Sequence, residues 1–153
     1  MKWLVLSLLL FVVPCFSVDN RRASMVKDGV LSWKDVYQKG IPLRGDWIFF
    51  PGRLLDPQDK AANGVRTPVP GLFRNVSGQD NNGCGTYRMV VDGVPDGLVL
   101  GLHIPSLASA ATVFANGKRI FSSGRPAVQM EAIRMSWKAG LVLLPPSEKG
   151  KID

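Results

Sequence analysis

The chain has 153 residues, enough for one ordinary domain and too few for two of full size. It is 46% hydrophobic and 20% charged, which excludes a disordered tail, and Gly 16 with Pro 11 is too rich in turn formers for a helical bundle. The net charge of +7 suggests a nucleic-acid partner, but the cations are scattered, with Arg21-Arg22 and Lys118-Arg119 the densest pairs, so no nucleic acid is expected.

Lys2 supplies a positive start, Trp3 to Val13 is apolar apart from Ser7, and Pro14 ends the run. Cys15 and Ser17 then put small residues at −3 and −1 of a cut after Ser17, so residues 1–17 read as a signal peptide. The apolar run is shorter than the roughly 20 residues a membrane span needs. An uncleaved anchor is the lesser reading. A lipoprotein cut before Cys15 is weaker still, because Pro14 stands where a small, flexible residue is required. The domain is therefore expected on the periplasmic or extracellular face of a membrane. Loss of Lys2 lowers the charge from +7 to +6, and loss of Cys15 leaves Cys84 alone. Cys84 is then either a buried small hydrophobe, the commoner case, or a partner for something outside the chain.

Residues 18–27 read as a polar tether, and residues 28–153 as the folded domain. Asp28-Gly29 looks like a turn into a short packed segment ending at Trp33. Residues 43–50 predict a strand with Trp47 and Phe49 on one face and Ile48 and Phe50 on the other, hence one buried between two layers. Asp56-Pro57 fits the N-cap and first position of a short helix ending before Asn63-Gly64. Val69-Pro70-Gly71 is a tight turn into a polar loop over residues 77–83. Residues 86–91 alternate, with Tyr87, Met89 and Val91 on one face. Leu98, Leu100, Leu102 and Ile104 alternate strictly, leaving His103 on the opposite face. Residues 110–121 form a hairpin about Asn116-Gly117, the strongest short-range hairpin signal. Residues 141–144 predict a further strand before Pro145-Pro146. Residues 150–153 look like the opening of a strand, so the fold is expected to lack its last strand or strands.

Catalytic constellations are scarce. One His excludes a two-His metal site, and no G-x-S-x-G elbow or P-loop is present, so no catalytic residue, metal or cofactor is expected. Gly83-Cys84-Gly85 lacks the third glycine of a dinucleotide fingerprint and reads as a bend into a strand. Asp56 and Asp59 read as a cap and a first-turn acid rather than an acid/base pair. His103 fits a partly exposed strand position better than a pH sensor or ligand group. Asn75-Val76-Ser77 is a glycosylation sequon, relevant only to a eukaryotic source. For a small-molecule or carbohydrate ligand the available loop groups are Phe73, Arg74, Gln79, Asp80, Asn81, Asn82, Arg125 and Trp137. The competing reading makes Trp47 and Trp137 core and the Asn/Asp run a solvated loop.

Several motifs occur in a telling order. They are Asp28-Gly29-Val30-Leu31, the run from Leu43 through Trp47 to Leu55, Val69-Pro70-Gly71-Leu72-Phe73, and Gly83-Cys84-Gly85-Thr86-Tyr87-Arg88. Ile104-Pro105-Ser106-Leu107-Ala108-Ser109-Ala110, Val113-Phe114-Ala115-Asn116-Gly117-Lys118 and Ser123-Gly124 follow. From about Asp28 onward the chain resembles the periplasmic domain of bacterial seven-transmembrane receptors with diverse intracellular signalling modules. It is also similar to the sugar-binding domain of glycoside hydrolase family 2 enzymes. The resemblance implies an all-β, galactose-binding-domain-like jelly-roll β-sandwich. It implies a sensory ligand-binding role, with a downstream membrane region and a cytoplasmic signalling domain in the full protein. The alternatives are an accessory sugar-binding domain of a secreted hydrolase and a protein-interaction module. Within the motifs, Gly71 and Gly117 are expected to permit strained turns, and Trp47 and Tyr87 to fill space between sheets.

Overall fold

The computed structural model describes residues 25–35, 40–60, 63–71 and 83–153. Among them the chain is all-β and sandwich-like, with helix confined to single 3-10 turns at Trp33–Asp35 and Met130–Ala132. In order the strands are β1 (Met25–Val26), β2 (Val30–Ser32), β3 (Arg44–Pro51), β4 (Val65–Val69), β5 (Gly85–Arg88) and β6 (Val90–Asp92). They continue with β7 (Gly101–Ala108), β8 (Ala111–Ala115), β9 (Lys118–Ser123), β10 (Trp137–Leu143) and β11 (Lys151–Ile152).

The aromatic and β-branched run Trp47-Ile48-Phe49-Phe50 makes β3 the organising strand. One edge pairs antiparallel with β4; the other pairs first with β1 and then with β5. Phe49 is fully buried and Phe50 nearly so, on opposite faces, so the strand is covered on both sides, as its sequence predicts. Trp47 and Ile48 are only half-buried. Tyr87 on β5 lies against Phe49, ring centroids 4.5 Å apart. Gly85 belongs where it is because a Cβ there would collide with the Phe49 ring.

β4 carries Pro68, which lacks a ladder donor and stands opposite Asp46 at the sheet's margin, where such a residue is tolerated. Residues 86–91, expected as one strand, divide at Met89: β5 pairs with β3, whereas β6 pairs with β2 and β11. Gly29 stitches the two sheets, its N–H donating to Asp46 O at 2.8 Å and its carbonyl accepting from Val90 N at 2.7 Å. Val26 is 2% exposed within β1, so part of the expected tether is strand.

β7 pairs antiparallel with β10, and β8 with β9 about the Asn116-Gly117 turn. That turn has φ of 46° and 74°, the double positive φ that a two-residue hairpin of primed type needs. Gly71 differs from its expected role: its φ is not positive, and it is needed because a Cβ would collide with the Pro68 carbonyl. Leu98 lies outside β7, which begins at Gly101. The expected helix after Asp56 is, through Lys60, a single turn. Its cap chemistry is present: Asp56 Oδ1 accepts from Gln58 N at 3.1 Å, and Asp59 Oδ2 accepts from Asp56 N at 3.0 Å. One turn satisfies these donors without a helix.

The core between the layers gathers Val94, Ala115 and Ile152, with Trp33, Val91, Leu100, Ile120 and Leu144 against them. Ile152, in the strand opening expected at residues 150–153, is therefore a core residue as well as a partner of β6.

Candidate functional site

Of the ligand-facing groups expected from sequence, Phe73, Arg74, Gln79, Asp80, Asn81 and Asn82 lie outside the described residues. So does the sequon at Asn75. Arg125 and Trp137 are described, and they flank one connection. β9 runs to Ser123, Arg125 pairs with Arg134 through backbone hydrogen bonds of 2.7 and 3.0 Å, and Trp137 opens β10. Ser123 Oγ donates to Ser136 O at 3.1 Å and fixes the spacing of the two arms. Close packing of Gly124 against the Arg134 carbonyl completes the pinch.

The two arginines of this connection are used differently. The Arg134 guanidinium is used internally, donating to Glu131 O at 2.7 Å and Ile133 O at 3.0 Å. Arg125 is exposed and has no carboxylate partner among the described residues. Trp137 is 77% exposed, which overturns the core reading for that residue. The expectation for Trp47 fares better: it is half-buried, its indole Nε1 enclosed without a hydrogen-bond partner. Trp137 and Arg125 are each open to solvent: an exposed indole face can stack on an apolar ring face, and an exposed guanidinium can donate to oxygens.

Sequence reasoning missed the extent of exposed apolar surface around this connection. Half of the exposed large hydrophobics among the described residues fall between 128 and 143: Val128, Met130, Met135, Trp137, Leu141 and Leu143. The alternation Trp137, Leu141, Leu143 was available as a signal, but period-2 reading assigns such a face to the core. His103 is exposed and pairs across the ladder with Leu141, so it shares the outward face. Cys84 is a free thiol, half-buried, its carbonyl accepting from Gly52 N at 2.8 Å.

The remaining framework residues serve the fold. Thr86 Oγ1 accepts from Leu55 N at 2.9 Å and donates to Arg53 O at 2.8 Å, holding down the segment after β3. Arg88 binds the Asp153 carboxylate with two nitrogens and reaches Asp59 O at 3.1 Å. Asn116 exchanges hydrogen bonds with the Asp153 backbone, N–H to O at 2.7 Å and Asp153 N–H to Oδ1 at 2.9 Å. Comparison with protein-family models, with curated proteins and with solved structures finds no match to this chain.

Proposed function

We propose that this chain is a non-catalytic, extracytoplasmic ligand-binding module with a jelly-roll, galactose-binding-domain-like fold, acting as the sensory domain of a membrane signalling protein. Its ligand is a carbohydrate or a related small metabolite. The observation that carries the reading is that the two described candidates, a solvent-facing Trp137 and an exposed Arg125 with no carboxylate partner among the described residues, flank the one connection between β9 and β10. The order of the framework motifs supports the fold, and the apolar run at residues 3–13 supports export. Signalling requires that the ligand bind one of two domain arrangements more tightly, since only differential affinity shifts an equilibrium.

A thermal-shift screen of neutral and acidic mono- and oligosaccharides tests the binding step. The expected result is a stabilising ligand whose effect falls about tenfold in apparent affinity in Trp137→Ala, the loss of one aromatic platform worth about 1.5 kcal/mol. Binding that Trp137→Ala and Arg125→Ala leave unchanged removes this site from the proposal. The exposed apolar face of β10 favours a second reading, a protein-interaction β-sandwich module, whose partner is argued next.

A further inference from the structure

β10 turns its larger apolar side chains to solvent. Trp137, Ala139, Leu141 and Leu143 share one face by the two-residue period. The register shift against β7 leaves that period intact, because the extra residue lies on β7: Lys138 pairs with Leu107 and Gly140 with Ile104. The opposite face carries Lys138, Gly140 and Val142, and it is this face that meets β9. Lys138 Nζ stands 5.2 Å from the centre of the Phe121 ring, and a Cβ on Gly140 would come 2.7 Å from that ring. An edge strand on a solvated layer ordinarily shows the reverse pattern, polar outward and apolar inward.

The size of the outward face is informative. Trp137, Leu141 and Leu143 are 77%, 77% and 72% exposed. Together they offer on the order of 400 Å² of apolar surface. A contiguous patch of that size marks an interaction site. It also equals the apolar share of one side of a standard interface, which buries about 800 Å² per partner and is a little over half non-polar.

The relief of the face indicates what covers it. Across the ladder from Leu143 stands Gly101, and across from Leu141 stands His103. Gly101 has no side chain, and a Cβ added there would meet only Leu141 Cδ1 at 3.7 Å and Val142 O at 3.9 Å. The ridge on β10 therefore runs beside a local trough at Gly101 on β7, overhung by the end of Leu141 and bounded by the exposed His103. A two-fold axis parallel to the strands lays β10 of each copy over β7 of the other, ridge into trough, with the same patch used twice. The outward positions Trp137, Ala139, Leu141 and Leu143, and their partners His103 and Gly101, include no carboxylate, lysine or arginine, so facing copies bring no such charges together. We infer that this face is a self-association surface forming a weak isologous dimer of this chain, with Leu143 seated over Gly101 and Leu141 against His103 of the other copy. A second copy of the chain is thus the partner for the protein-interaction reading, and its face shares Trp137 with the proposed ligand site.

Sedimentation velocity across a wide concentration range tests it, using substitutions that spare Arg125 and Trp137. The chain is expected to show a monomer–dimer equilibrium with Kd in the micromolar range. Leu141→Lys, at a position open in the monomer, should leave the melting temperature unchanged and weaken the dimer by about 100-fold, since each substitution acts twice. Gly101→Phe adds apolar surface but fills the trough, and should weaken the dimer by about tenfold. Val65→Lys, on the other sheet, should leave it intact. A chain that stays monomeric throughout overturns the inference. So does a Gly101→Phe variant that associates as tightly or more tightly, which would mean indiscriminate adhesion. So does a monomer that binds anionic lipid vesicles through Leu141, which would make the face a membrane contact.

Discussion

Tyr87 lies on the fully buried ring of Phe49 with 34° between the ring planes, and burial pushes its phenol above the ordinary 10.0. The folded state disfavours the phenolate, so the unfolded chain ionises first. The stability tied to Tyr87 is thus complete below the unfolded value and is lost as pH rises through the folded one. Urea midpoints are expected to fall from about pH 10 upward, with the fall reduced in Tyr87→Phe. Equal alkaline slopes in the two proteins would show that the phenol is solvated. At this scale the sequence was most legible where a backbone angle demands a residue type. Asn116-Gly117 marks a turn whose two positive φ values few other pairs supply. Asp56 was legible as a cap, because a short carboxylate beside Pro57 satisfies nearby donors in a turn as readily as in a helix, but the extent of the element was not. Trp137 was ambiguous for a physical reason: an indole serves equally as core filler and as binding platform, and only its position in the sheet decides.

Among elements, β3 was readable from composition alone, since four successive large apolar residues bury on both faces. β4 was not, because Pro68 argues against a strand unless the sheet margin is known. The division of β5 from β6 at Met89 was equally hidden: local alternation continues across it, and only the partners change. Which face of β10 looks outward depends on Phe121 and Gly140 meeting across the layers, a contact between distant positions. The end of β11 is held by Arg88, whose guanidinium joins β5 to the Asp153 carboxylate and to the turn at Asp59. The hydrogen bond to Asp153, with its charge, holds Arg88 above the ordinary arginine value. The pair is half-exposed, so its net worth is about 1 kcal/mol despite the two-pronged geometry. Arg88→Met is expected to lower the melting temperature by about 3 °C, and Arg88→Lys by nearly as much because the fork is lost. An unchanged melting curve for Arg88→Met would show that β11 is held by its ladder and by Asn116 alone.

For the whole molecule, the class followed from turn density and alternation, and the structure bears out an all-β, sandwich-like chain. Arg125 and Trp137 flank one connection, whose two arms are pinched where Ser123 meets Ser136, a closure no local pattern announces. The two proposed surfaces lie at one end and along one face of the same strand. A ligand bound at Trp137 as proposed would share its strand with the proposed association face of Leu141 and Leu143. That adjacency offers a physical route from ligand to assembly, and from assembly to a signal, if binding favours one arrangement of copies.

The sensory role is tested most directly by reading the coding sequence onward from the codon for Asp153. The account predicts hydrophobic spans of about 20 residues each followed by a cytoplasmic cyclase or kinase domain. A long soluble continuation with the alternating strand–helix pattern of a catalytic barrel, or a stop codon at once, would contradict it.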